Sequence, residues 1–100
     1  QTIENKTGSY TPTINDHRKY IRVDSSTTAT ITLVADAVEA IPVGTAFVIG
    51  RVGIGSVNFA AGVGASVNSL GGALGISAQW GKATALKVAV DTWEISGNLA

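Results

Sequence analysis

The side chains that could perform chemistry are few and lie far apart in the sequence. The only histidine, His17, stands between Asp16 and Arg18 in a polar segment that we predict to be a turn. Adjacent residues on a turn point in different directions, so these three residues do not form a catalytic or metal-binding constellation. We expect a solvated turn there, and we retain His17 and Arg18 as residues for contact with a partner.

Other signatures of an active site are also missing. The chain has no cysteine, which excludes disulfides, thiolate metal sites and a cysteine nucleophile. The glycine-rich residues 50–55 lack the Lys-Ser or Lys-Thr ending and the following helix of a phosphate-binding loop. The carboxylates do not have calcium-loop spacing, and a pair meeting across the fold is the remaining alternative; they are Asp24, Asp36, Glu39, Asp91 and Glu94. We therefore predict no enzyme, no metal and no cofactor.

The two tryptophans receive different predictions. Trp93 shares a strand face with Ile95, so we expect it in the core. Trp80 lies on a connection between strands, where we favour a role in covering the core or a subunit seam. The alternative is an aromatic platform for a sugar ring, assisted by Tyr10 and Tyr20. The full set of predicted ligand or partner contacts comprises Tyr20, His17, Arg18, Asn68, Gln79, Trp80 and Lys82. We place such contacts on the loops 15–19, 62–72 and 79–82, at one end of the domain.

The elements that must position these residues are β-strands. Val, Ile and Thr dominate the sequence, glycine is frequent, and apolar residues alternate with polar ones, as in residues 28–34. We predict an all-β fold, a small antiparallel β-sandwich or jelly-roll-like barrel of about eight short strands. Residues 1–8 form an N-terminal arm or linker, and residues 9–100 form a single β domain. No internal repeat of fixed period is visible.

Three segments carry more specific expectations. Residues 46–52 are apolar on both faces, which indicates a central strand or a subunit interface. Residues 53–55 are expected to form a tight hairpin connection. The strand over residues 83–90 is predicted to turn Leu86, Val88 and Val90 towards the core. Its other face would carry Lys87 and a smooth stripe for a subunit seam, made of Ala83, Ala85 and Ala89.

The composition restricts the choice of partners. Seven basic and seven acidic residues give zero net charge, and only 14% of residues are charged. A nucleic-acid partner is disfavoured, because phosphate binding depends on clustered Lys and Arg. The sequence contains no stretch of 18 apolar residues, so we predict no membrane-spanning segment. Because the first residue is Gln rather than Met, we expect either a removed leader or a piece of a longer chain.

Several short segments, taken in order, resemble the β domains of bacteriophage tail-fibre and other virion appendage proteins, in particular C-terminal tail-fibre modules. The resemblance covers residues 10–99, and its order and spacing are more specific than any single motif. The segments are YIRVDS (20–25), TITL (30–33), PVGT (42–45), VGIGSVNF (52–59), AGVG (61–64), NS (68–69), GG (71–72), DTW (91–93) and SGNL (96–99).

This resemblance implies a non-enzymatic virion protein located on a tail fibre or on the capsid surface. It implies a homotrimer that contacts other virion proteins, with no catalytic residue to transfer. The leading hypothesis is a tail-fibre structural module for trimerisation and host-surface (receptor) attachment, with a host glycan or protein as partner. One alternative is a capsid head-decoration (cement) protein. A further alternative from another class is a carbohydrate-binding module. Neither nucleic acid nor a membrane is expected as a partner.

Overall fold

The computed structural model describes residues 2–100, which contain eight β-strands and two 3-10 helices. The expected small β fold of about eight short strands is confirmed. Within the segment 1–8 that we predicted as an arm, residues 3–6 form a strand; Gln1 lies outside the described residues. The strands are β1 (Ile3–Lys6), β2 (Tyr20–Val23), β3 (Ala29–Leu33), β4 (Ala46–Arg51), β5 (Val57–Ala61), β6 (Ser66–Ser69), β7 (Lys82–Ala89) and β8 (Thr92–Gly97), and the 3-10 helices are Ile14–Asp16 and Leu70–Gly72.

The strands divide into a large mixed sheet and a small parallel one. Six strands pair in the order β1-β2-β4-β7-β8-β6, and β3 pairs with β5. Antiparallel pairing joins β7 to β4 and to β8, whereas β1–β2, β2–β4, β3–β5 and β6–β8 are parallel. The antiparallel arrangement that we expected is therefore wrong for these four pairs. For β2–β4 and β3–β5, parallel pairing results because the chain crosses to the other sheet after each of β2, β3 and β4 rather than turning back.

The first part of the chain winds as a coil between the two sheets. It passes from β2 to β3 and then from β4 to β5, and Tyr10 adds a parallel bridge to Ile31. Tyr20 pairs with Val48 and Ala29 with Val57, so both pairings join residues 28 positions apart. Burial repeats at this offset for Ile21 and Ile49 and for Ile31 and Phe59, but not for Val23 and Arg51. Because burial repeats only in part and residue identity mostly does not, the sequence shows no repeat.

The residues between β4 and β5 form a corner of this coil. The predicted hairpin at 53–55 is wrong, because β4 and β5 belong to different sheets. The Gly55 N–H donates to the Ser25 carbonyl at 2.8 Å, which stacks this corner on the one between β2 and β3. A Cβ on Gly53 or Gly55 would collide with the backbone of Ser25 or Thr27. The glycines are therefore required by close approach of two backbone segments.

Strand β7 presents the opposite face to the core from the one predicted. Ala83, Ala85 and Lys87 are buried, whereas Leu86 is 38% exposed and Val90 is 67% exposed. Ala85 pairs with Phe47 on one side and with Ile95 on the other, and both partners are buried. A small side chain fits between two large ones when a core packs at native density. Ala83 and Ala85 are thus part of the core and not of a subunit seam, whereas Ala89, at the end of the strand, is exposed.

The core also contains a lysine. The Lys87 ammonium lies 2.6 Å from Asp36 Oδ1 and donates to the Ile41 carbonyl at 2.8 Å. Its side chain has no exposed surface, whereas about a third of the Asp36 side chain is exposed (34%). The hydrogen bond that Lys87 donates to the Asp36 carboxylate, followed by the one donated by the Asp91 backbone N–H, holds the pKa of Asp36 below its ordinary value of 3.8.

An aromatic pair completes this part of the core. Trp93 is fully buried, so its predicted place in the core is confirmed. Its ring stacks on Phe47 with centroids 5.5 Å apart and lies 5.5 Å from the Lys87 ammonium. The indole N–H donates to the Val34 carbonyl at 3.0 Å. Lys87 and Trp93 together therefore attach the connection between β3 and β4 to strands β7 and β8.

We predict that Gly55→Ala destabilises the domain by about 1–3 kcal/mol, because the added methyl forces two stacked backbones apart. Gly8→Ala is the matched control, since nothing lies within 4 Å of a Cβ at that position. We expect Gly8→Ala to be neutral or stabilising by about 0.4–1 kcal/mol through the unfolded state. Urea unfolding monitored by circular dichroism measures both, and equal effects would contradict the stacked corner.

We predict that Asp36→Ala costs more stability than Lys87→Met. The first variant leaves a fully buried ammonium with only a carbonyl partner, whereas the second leaves a carboxylate that water can reach. Lys87→Met should cost about 1–3 kcal/mol, the price of an unpaired Ile41 carbonyl. The reverse order in urea unfolding at pH 7 would show that the ammonium is solvated.

We predict that the difference in unfolding free energy between the parent and Asp36→Ala shrinks in acid. The pKa of Asp36 is lower in the folded chain than in the unfolded one, so its contribution is complete above about pH 3.8. It declines as the pH falls below that value towards the folded pKa. Paired urea titrations from neutral pH to pH 2–3 measure the difference, and a constant difference would argue against the ion pair.

Candidate functional site

The predicted contact residues lie at two opposite ends of the domain. The Trp80 end comprises the loops 24–28, 52–56 and 77–81, and the His17 end comprises the loops 15–19, 42–45, 62–65 and 90–91. Gln79, Trp80 and Lys82 lie at the Trp80 end, and the Tyr20 side chain reaches Lys82. His17 and Arg18 lie at the other end, and Asn68 lies on the edge strand β6. The three predicted contact loops therefore do not share one end.

His17 and Arg18 hold the beginning of β4. The Ala46 N–H donates to His17 Nδ1 at 3.1 Å, and the Arg18 N–H donates to the Ala46 carbonyl at 2.9 Å. Arg18 has a φ of 65°, the left-handed conformation that allows the chain to turn into β2. Both residues thus have defined structural roles.

A buried carboxylate supports the same loop, where the sequence indicated only a solvated turn. Asp16 is buried and accepts hydrogen bonds from the Tyr10 hydroxyl at 2.6 Å and the Thr13 N–H at 2.9 Å. The pKa of Tyr10 is raised well above its ordinary range, first by burial and second by the hydrogen bond that its hydroxyl donates to Asp16. Thr13 and Asp16 form a capping box around the first 3-10 helix. The alternation of apolar and polar residues along the sequence could not identify the hydrogen bond between Tyr10 and Asp16.

The Trp80 loop holds an aromatic ring in solvent. Trp80 is 63% exposed, so the prediction that it covers the core is wrong, whereas its place at a subunit seam stays a prediction. The Trp80 N–H donates to the Arg51 carbonyl at 2.6 Å, and the Arg51 N–H donates to the Gly81 carbonyl at 2.9 Å. The Gln79 side-chain amide donates to the Val52 carbonyl at 2.8 Å. These bonds hold Trp80 at a φ of 73°, a conformation that an aromatic residue adopts only under constraint.

A tyrosine and a lysine lie beside this loop on the outer face of the large sheet. The Lys82 ammonium lies 5.5 Å from the centre of the Tyr20 ring, within cation–π range. The Tyr20 ring occupies the space above Gly50, where a Cβ would overlap its hydroxyl. Arg22 pairs with Gly50, which pairs with Lys82, so two cations occupy one row across the sheet. The sequence did not single out Arg22, because the row depends on the parallel pairing.

A shallow groove crosses the outer face between β6, β7 and β8. Its volume is about 350 Å³. Asn68 lines it and pairs with Glu94, which pairs in turn with Leu86. The sequence predicted a contact role for Asn68 but assigned Leu86 to the core, so the groove was missed. Its walls consist of Asn68, Ser69, Leu70, Leu86, Glu94, Ile95 and Ser96.

We predict that Trp80→Gly is more stable than Trp80→Ala by about 1 kcal/mol. Both variants remove the indole, and they differ in the cost of the left-handed backbone, which glycine avoids. Gln79 provides the control, because its φ is not positive and the order should reverse there. Thermal unfolding of the four variants measures this, and the same order at both positions would argue against backbone strain at Trp80.

Neither the arrangement of the side chains nor the known proteins identify the function of this chain. Within residues 2–100, no group of three His, Cys, Asp or Glu side chains is placed to hold a metal ion. The helices in the same residues are too short to cross a membrane. No family model, no curated protein and no solved structure matches the chain.

Proposed function

We propose that the chain is a non-enzymatic structural module of a bacteriophage tail fibre, which assembles as a homotrimer and attaches to the host surface. The uncharged part of the outer face of β4 and β7, beyond Lys82, is the observation that carries the assembly. Ala46 pairs with Leu86 and Val48 with Thr84, and all four side chains are only partly buried or exposed in the single chain. Contact with identical chains would remove this apolar surface from water, and the charged side chains of Lys82 and Glu94 lie at its borders.

The resemblance to tail-fibre β domains is the basis for proposing a virion protein and an assembly of three chains. The outer face replaces the alanine face of β7 as the proposed seam, since Ala83 and Ala85 are in the core. Several turns also carry exposed apolar side chains, which favours contacts with other virion proteins. These residues are Val38, Val43, Ile54, Val63, Leu70 and Val90.

We further propose that the two sheets pack as a β-sandwich. Alternate residues from both sheets enter one core, with Ile21 and Phe47 from the large sheet and Ile31 and Phe59 from the small one. This alternation is typical of sandwiched sheets. The parallel pairs distinguish the arrangement from an antiparallel jelly roll.

The absence of catalysis is part of the proposal. His17 accepts a backbone hydrogen bond, Asp16 caps a helix and Asp36 pairs with Lys87. Each of these groups therefore has a structural partner in place of a substrate. The capsid-decoration alternative shares the trimer and differs in its location on the virion, which immunogold labelling of intact particles would distinguish.

We predict that the parent has three times the 10.2 kDa mass of one chain in light scattering. Leu86→Glu should convert it to a folded monomer, because three carboxylates would meet at the proposed seam. Val63→Glu makes the same change on an exposed turn away from that face, and it should remain trimeric. A parent that is monomeric at micromolar concentration would contradict the proposal.

A further inference from the structure

We propose that Trp80 is the stacking platform of a binding site for an acidic saccharide, in which Lys82 and Arg22 attract the carboxylate. The inference rests on the host-contact part of the proposed function and names the chemical class of the ligand. Nothing in the packing of the single chain accounts for Trp80, because its ring is mostly in water.

The first support is the conformation of the Trp80 backbone. A left-handed φ of 73° is costly for an aromatic residue and favours glycine or asparagine. Trp80 fills no cavity in return, since it is 63% exposed. Strained residues that add nothing to packing are typical of binding sites, where the surrounding structure enforces the conformation.

The second support is the rigidity of the loop. Hydrogen bonds join Trp80, Gly81 and the Gln79 side chain to the end of β4, a central strand of the large sheet. A platform fixed in this way loses little conformational freedom when a ligand binds. The flat face of an indole stacks on the apolar C–H face of a sugar ring, while polar groups around it bind the hydroxyls.

The third support is the charge around the platform. Arg22 and Lys82 lie on the outer face near the Trp80 end of the strands, where Arg22 donates to the neutral Asn5 side chain. Lys6 lies on the other face, over the Tyr10 ring. Arg51 is committed to the carbonyls of Ile54 and Ile76, whereas Lys82 is exposed. The Tyr20 ring positions the Lys82 ammonium beside the loop without neutralising it. A saccharide with a carboxylate therefore fits this end better than a neutral one.

Two-dimensional NMR of the indole N–H groups tests the inference. The domain has two tryptophans, and Trp93 is an internal reference because its N–H is buried and bonded to Val34. The probes are digalacturonic acid and the neutral galactose disaccharide with the same linkage, each titrated to millimolar concentration. We expect the acid to shift the Trp80 resonance and leave that of Trp93 in place, and the neutral sugar to bind about fivefold more weakly.

Three variants assign the contributions. Trp80→Gly keeps the backbone unstrained and should abolish acid binding, measured by calorimetry. Lys82→Gln should weaken binding of the acid about fivefold and leave binding of the neutral sugar unchanged. Val63→Ala removes exposed apolar surface at the opposite end and should bind like the parent.

Several outcomes would overturn the inference. These are equal affinity for the two sugars, unaltered Trp80 resonances with both, or undiminished binding by Trp80→Gly. A Trp80→Gly variant that loses its oligomeric mass in light scattering would identify a subunit seam instead. Binding by a monomeric parent would support the saccharide site while contradicting the trimer, so the two proposals fail separately.

Discussion

The buried Lys87 ammonium constrains how the connection between β3 and β4 packs against the rest of the fold. A fully buried charge is tolerated only with close partners, and Lys87 has two: the Asp36 carboxylate and the Ile41 carbonyl. Both partners belong to the connection between β3 and β4. That connection must therefore lie across the end of the core, where Trp93 also bonds it through Val34. Without Asp36, the core would retain a charge that it cannot solvate.

Part of this architecture was predictable because its signal is local. Alternation in residues 28–34 predicts one buried face, and its residues Ala29, Ile31 and Leu33 are all buried. The place of Trp93 in the core followed from its size and from Ile95 on the same face. Period-two alternation needs no knowledge of neighbouring strands, so these residues could be assigned from the sequence alone.

The errors arose where the outcome depends on a distant partner. Hydrophobicity favoured Leu86 over Ala85 for the core, but the space beside β7 is already filled by Phe47 and Ile95. Lys87 was assigned outward because burial of its charge requires Asp36, which is 51 residues away in sequence. Within the candidate site, Trp80 and Lys82 could be selected by residue type. Arg22 could not, because only the order of the strands places it in one row with Lys82.

The stacked corners also restrict how the chain can change in evolution. Because β2 pairs with β4 and β3 with β5 at one shared offset, the loops 24–28 and 52–56 must have equal lengths. An insertion in one corner alone would shift one strand pair relative to the other and turn its buried residues outward. Length variation among descendants should therefore occur in both corners together.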